Sequence, residues 1–156
     1  MYLSKTLAIL MTVISISAFA QNSKKENKEH TLAEKQYKIG ENYFNGRTVE
    51  KNISKAISFM EASAENGYAK AQLNLVRMYL RGYKVRKNNK KAFYWAQKAA
   101  EQNISEAQYY LATMYLEGKG TKENKKEGLK WLIKSKNQGY AKAFEKWSSL
   151  DKNYNS

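Results

Sequence analysis

The sequence predicts an all-α fold, an α-solenoid of three helix hairpins closed by a C-terminal capping helix. Three observations predict it. Tyr68 to Asn103 has near-copies 36 positions upstream and downstream. Identical or like residues hold register three times, in Gly46/Gly82/Gly118, Tyr43/Tyr79/Tyr115, Asn52/Asn88/Asn124 and Phe59/Trp95/Trp131. The segments 65–72, 101–108 and 137–144 (ENGYAKAQ, EQNISEAQ, NQGYAKAF) close each unit in the same phase. A period in the thirties marks a solenoid, in which each unit buries its apolar face only by stacking on its neighbours.

Taken in order, Met1 to Ala20 reads as an export signal. Lys5 supplies a positive start, Thr6 to Phe19 an apolar stretch, and Ala18-Phe19-Ala20 small residues before a cleavage site. The expectation is cleavage after Ala20 and a periplasmic or secreted chain; the alternative is an uncleaved membrane anchor. The segment 21–31 is polar and is expected to be a flexible arm. His30 is the single histidine and reads as a bystander.

Repeats are expected over 32–67, 68–103 and 104–139, with 140–156 forming the cap and tail. In the central unit Ala71, Leu75, Val76 and Tyr79 recur at spacings of three and four, giving one apolar stripe. Gly82 ends that helix, since glycine tolerates the left-handed backbone of a helix C-terminus. After the loop, Asn88 can cap the next helix through its side-chain oxygen. Ala92, Trp95, Ala96, Ala99 and Ala100 form the second stripe, small enough for close helix approach except where Trp95 fills space. Trp147 falls in the column of Ile39, Leu75 and Leu111 and argues that the last helix is a cap with a polar outer face, against a frayed tail.

The recurring residues carry a family resemblance. Leu75 and Tyr79, Gly82, Val85 to Asn88, Lys91-Ala92, Trp95 and Ala99-Ala100-Glu101-Gln102-Asn103 resemble the Sel1-like repeat, a relative of the tetratricopeptide repeat, over about residues 33–143. The resemblance implies a right-handed solenoid of about three Sel1-like hairpins that binds a protein or peptide partner. The chain departs from the pattern in instructive ways. The capping Asp is Asn in all three units, and the second loop glycine survives only as Gly120, with Thr48 and Lys84 in its place. Those two sites are expected to be strained if the backbone is kept. Helix approach is expected to vary, because one column runs Gly40, Val76, Ala112. Gly128 and Lys136 replace alanines of the template.

Invariant columns serve packing on this reading. The columns that change are Tyr37/Leu73/Tyr109, Glu41/Arg77/Thr113 and Phe44/Leu80/Leu116. By similarity to tetratricopeptide relatives they line the concave surface, where aromatic, aliphatic and charged groups suit a peptide. The alternative for Phe44, Leu80 and Leu116 is packing between helices.

Charge and composition limit the rest. Formal charge is +14, one unit of it from Lys5. Lysines gather in the loops and second helices of units two and three, represented by Lys90, Lys126 and Lys130. They read either as a solvated outer face or as a surface drawn to an acidic partner. With no cysteine there is no disulfide framework, thiolate metal site or cysteine nucleophile, nor the acceptor of a bacterial lipid anchor. Ser-His-Asp, Gly-x-Ser-x-Gly, His-Glu-x-x-His and phosphate-loop patterns are also missing. The expectation is a monomeric, non-enzymatic binding protein without cofactor or metal, acting as adaptor, envelope regulator or toxin-neutralising immunity protein. Nucleic acid is not an expected partner, and a membrane is one only through an uncleaved leader. The alternatives are a weak hydrolase of the penicillin-binding or β-lactamase-like type and a basic binder of anionic envelope surfaces.

Overall fold

A computed structural model of the chain describes residues 30–154 and, upstream of them, Gln21, Lys25 and Lys28. The leader 1–20 and its cleavage site lie outside the described residues. These form seven helices: α1 (30–45), α2 (Ile53–Glu65), α3 (Ala69–Arg81), α4 (Asn89–Glu101), α5 (Ser105–Glu117), α6 (Lys125–Asn137) and α7 (Ala141–Tyr154). No strand is present among them. Pairs α1/α2, α3/α4 and α5/α6 are the three hairpins, stacked in chain order, so the chain is an all-α solenoid with a C-terminal helix.

Within 21–31, where a flexible arm is expected, the described residues Gln21, Lys25, Lys28, His30 and Thr31 have helical backbone. Lysine and glutamine are good helix formers, so polar residues can be helical without an apolar stripe of their own. The Glu34–Lys38 pair, one turn apart at 2.8 Å, supports the turn of α1 that follows.

One loop construction joins the helices of every hairpin. Asn52, Asn88 and Asn124 cap α2, α4 and α6, each side-chain oxygen accepting a backbone N–H three residues on, at 2.9, 3.0 and 3.1 Å. The backbone N–H of the same asparagine donates to the carbonyl of Tyr43, Tyr79 or Tyr115, at 2.9, 3.0 and 2.9 Å. The two columns are thus bonded through their backbones, and because the cap uses only an accepting side-chain oxygen, asparagine can serve there as aspartate does. Gly82 and Gly118 close α3 and α5 in the left-handed conformation.

The stripes pack as expected. Leu75, Val76, Ala92, Trp95, Ala96, Ala99 and Leu111 are buried in one cluster, with Trp95 only 4 % exposed. Buried polar side chains tie units together: Gln72 Nε2 donates to the Ala64 carbonyl at 2.9 Å, and Gln102 Nε2 donates to Gln72 Oε1 at 2.8 Å. Gln138 and Gln108 repeat the amide pair at 2.7 Å one unit on. A buried amide needs such partners, so these pairs also set the register between units.

Two glycines mark close helix approach. A Cβ on Gly128 would meet Leu116 Cγ at 2.7 Å, so α6 lies closer to α5 than an alanine there would permit. In the first unit a Cβ on Gly40 would meet Met60 Cγ at 3.0 Å. The strain expected in the loops occurs at one of its two sites. Lys84 has φ 60°, close to the 78° of Gly120 in the same column, whereas Thr48 is not among the positive-φ residues.

Helix α7 caps the stack. Ala143 is buried against Ala112 and Leu132, and Trp147 and Leu150 pack on them. Its outer face is not wholly polar, because Phe144, standing where the other units have Gln72 and Gln108, is 62 % exposed.

Candidate binding groove

Side chains from α1 and α3, with Met60 of α2, enclose a cleft of about 550 Å³. Met60 and Met78 form its buried floor, and Phe44 with Tyr83 its aromatic edge, the two rings 6.0 Å apart. Tyr83 is 55 % exposed. Polarisable, unbranched methionines with aromatic neighbours suit a surface that accommodates an apolar side chain.

The wall carries a bonded chain across three helices. Asn74 Nδ2 of α3 donates to the Tyr37 hydroxyl of α1 at 2.6 Å. Arg77 donates from Nη1 to Asn74 Oδ1 at 3.3 Å, and from Nε and Nη2 to the two carboxylate oxygens of Glu106 in α5, at 3.0 and 2.5 Å. This two-pronged bond to Glu106 raises the Arg77 pKa above its ordinary value, against the opposing effect of burial. Burial, and then the neighbouring Glu41 carboxylate, push the Tyr37 hydroxyl well above the usual tyrosine value. Glu41 has Lys70 at 4.0 Å, and the Lys70 ammonium also stands 4.9 Å over the Tyr37 ring. Glu106 spends both oxygens on Arg77, so the inward carboxylates hold cations and are not paired with each other.

The nine expected concave residues divide among several places. Tyr37, Glu41, Phe44 and Arg77 line the main cleft. Leu80, Tyr109 and Thr113 line a smaller one of about 250 Å³ between α3 and α5, joined by Tyr110, Glu117 and Lys87. Leu73 faces a third hollow with His30, Tyr68 and Ile104, and the His30 and Tyr68 rings meet edge to face at 5.9 Å. Two expectations need correction. Leu116 packs over Gly128 in the cluster under α7, where the missing Cβ admits it. Tyr37 is 2 % exposed and offers the cleft only an edge, because Tyr68, 5.3 Å away by ring centroids, and Asn74 cover it. Phe44 and Leu80 line clefts and also pack on the core, so both readings of their column hold at once.

Asn74, Arg81 and Tyr83 are groove residues the sequence reading missed. Their columns, Lys38/Asn74/Tyr110, Asn45/Arg81/Glu117 and Arg47/Tyr83/Lys119, change from unit to unit as much as the three chosen, and that variation could have found them.

The basic residues are not one uniform face. Lys90 joins Arg86 and Lys87 around a hollow of about 530 Å³ at the start of α4. Lys126 is exposed, and Lys130 has Glu127 at 3.6 Å. No cluster of metal-ligating side chains and no helix long and apolar enough to cross a membrane occurs among the described residues.

A helix-hairpin solenoid with an open, mixed cleft between successive first helices belongs to the class of repeat proteins that present a binding surface. The Sel1 repeat model matches residues 34–68, 69–104 and 105–140, and the chain belongs to the Sel1 repeat family. Proteins built from this repeat are in general non-catalytic scaffolds for protein–protein interaction. A solved Sel1 repeat protein from Oxalobacter formigenes is similar at 27% identity and TM-score 0.70, over 86% of this chain and 98% of that one. The protein c5321, a protective antigen present in uropathogenic Escherichia coli strains, is 33% identical with TM-score 0.62, over 76% of this chain but 25% of its own. Helicobacter pylori cysteine rich protein B shares the fold at 22% identity and TM-score 0.57, over 78% of this chain and 94% of that one. No curated protein matches the sequence.

Proposed function

We propose that this chain is an exported, non-catalytic interaction module that holds a protein or peptide partner in the cleft between α1 and α3. The observation that carries the reading is the cleft itself: about 550 Å³, floored by Met60 and Met78, edged by Phe44 and exposed Tyr83. An aromatic edge over an apolar floor, with polar groups along one wall, is the composition of a peptide-binding hot spot. Export rests on the leader, and cleavage after Ala20 would leave Gln21 as the first residue of the exported form, readable from its mass. Adaptor, envelope regulator and toxin-neutralising immunity protein are the roles such a module fills, and the partner's identity decides among them.

A photo-crosslinking amino acid placed at Tyr83 or at Tyr94 tests the site in the producing cell. Both side chains are exposed, but Tyr94 lies on α4 beside Glu65, away from the cleft. A discrete adduct is expected from position 83 and none from 94. Adducts from 94 alone, or from neither position, sink the reading.

A further inference from the structure

We infer that the partner of the cleft is an acidic protein segment, one that places an apolar side chain in the cleft and carboxylates along the α3–α4 loop. This rests on the binding reading above and adds the partner's chemistry to it.

From Arg81 to Lys91 the chain carries six cations and no carboxylate, and the next acid after Glu65 is Glu101. Lys91 alone of the six is in an ion pair, with Glu61 at 2.9 Å. Arg81, Lys84, Arg86, Lys87 and Lys90 have no carboxylate partner among the described residues, and all five are exposed. Such crowding costs stability through like-charge repulsion, and no carboxylate among the described residues relieves it. In the third repeat some cations do find partners: Lys119 has Glu117 at 2.6 Å and Lys125 has Glu123 at 3.8 Å, while Lys122 and Lys126 are in no ion pair among the described residues.

The loop adjoins both clefts. Arg81, Gly82 and Tyr83 line the main one. Lys87 and Asn89 belong both to the smaller α3/α5 cleft and to the hollow with Arg86 and Lys90. A chain leaving the main cleft past Tyr83 therefore runs onto unpaired cations in either direction. Inside, the wall's guanidinium is already spent on Glu106, so the cleft asks for an apolar group and its rim for negative ones. A flat anionic membrane could touch the rim but could not seat a side chain between α1 and α3. A peptide can do both, which is why an acidic peptide fits and a lipid surface fits less well.

The test titrates the full chain with fluorescein-labelled Glu-Glu-Glu-Leu-Phe-Glu-Glu. Two further peptides replace all its Glu by Gln or its Leu-Phe by Ser-Ser, and vesicles of phosphatidylglycerol and phosphatidylcholine are the fourth probe. The variants are a combined Lys84→Gln, Arg86→Gln, Lys87→Gln chain and a separate Tyr83→Ser chain, both at exposed positions and both checked for an unchanged melting curve. The glutamate peptide is expected to bind, about tenfold more weakly to the triple variant and more weakly still at high salt, because exposed charges are screened over about 8 Å at physiological ionic strength. The glutamine peptide should lose affinity similarly. Equal binding of the glutamate and glutamine peptides, or a triple variant as good as the parent, overturns the inference while leaving the cleft reading standing if Tyr83→Ser and the Ser-Ser peptide are both weakened. Loss with the triple variant but indifference to Ser-Ser and to Tyr83→Ser keeps the acidic partner and sinks the cleft. No peptide binding at about 1 mM, where even a weak complex forms, overturns the proposal, and vesicle binding that the triple variant abolishes would then assign the loop to a membrane.

Discussion

The second and third repeats carry their lysines at the same places, around the loop and the start of the second helix. In the third, acids stand among them: Glu117 takes Lys119 at 2.6 Å and Lys146 of the cap at 3.7 Å, Glu123 takes Lys125 at 3.8 Å, and Glu127 takes Lys130 at 3.6 Å. In the second, the loop from Arg81 to Lys90 has none. The loops also differ in backbone. Gly120 sits so close to α4 that a Cβ would meet the Asn89 carbonyl oxygen at 2.1 Å, whereas its counterpart Lys84 carries a full side chain at φ 60°. One fold thus holds two kinds of loop, a partly neutralised one pressed against its neighbour and a charged, strained one. Counting lysines could not separate them, because the field depends on which carboxylates fold back onto which cations.

The largest expected contrast lies in the core beneath those loops. Trp95→Ala should destabilise the protein by about 3–5 kcal/mol, the range for emptying a buried large aromatic site. Trp131 is only partly buried, with the Lys134 ammonium 4.1 Å over its ring, so Trp131→Ala should cost less, about 1–3 kcal/mol. Thermal or denaturant unfolding compares them. Equal losses would mean that the third repeat is packed as tightly as the second.

Opposite signs are expected at the loop column. Gly120→Ala should cost about 2–4 kcal/mol, since the Asn89 carbonyl is backbone and cannot step aside without moving α4. Lys84→Gly should instead stabilise by up to about 1 kcal/mol, trading left-handed strain against the entropy glycine loses on folding. Two substitutions of the same sign would show that the loops are equivalent after all.

Smaller effects come from the charges. Neutralising Lys84, Arg86 and Lys87 to glutamine should leave stability unchanged or raise it by a few tenths of a kcal/mol at low salt. The same change at Lys119, Lys125 and Lys130 leaves Glu123 and Glu127 without a cation and Glu117 with Lys146 alone, and should lower it by about 0.5 kcal/mol. Added salt should erase both differences. A destabilised second loop would reveal carboxylate contacts to that loop.

The smallest effect is a pH dependence. At Glu61, burial works to raise the carboxyl, but hydrogen bonds from Tyr79 and Lys91 outweigh it and the pKa lies below its ordinary value. A depressed carboxylate stabilises the fold above its unfolded pKa, and that contribution is lost as pH falls through the folded one. Stability should therefore decline below about pH 4.3, and Glu61→Gln should flatten part of that decline, by under about 1 kcal/mol for so exposed a group. An unchanged acid limb in the variant would show that the Tyr79–Glu61–Lys91 cluster contributes nothing.

What the sequence alone determined is whatever depends on neighbours within a turn or within one hairpin. The helix stripes, the asparagine caps and the left-handed Gly82 and Gly118 are local, so spacing reveals them, and repetition in three units reveals them three times. The solenoid followed, because a unit with one apolar face on each helix has no other way to bury both. The tertiary structure alone decided matters between residues some thirty positions apart. Arg77 reaches Glu106 and Asn74 reaches Tyr37 only once one repeat is stacked on another, and this turned two expected contact residues into partly structural ones. Leu116 was drawn from the groove by a missing Cβ on the next helix, and Glu117 found Lys146 in the cap. A column of the repeat records which residue types recur, but not how far each side chain reaches across the gap to the next unit. That distance is set by packing, and it decides which cations of the third loop are paired, whereas the lack of acids in the second is already written in the sequence.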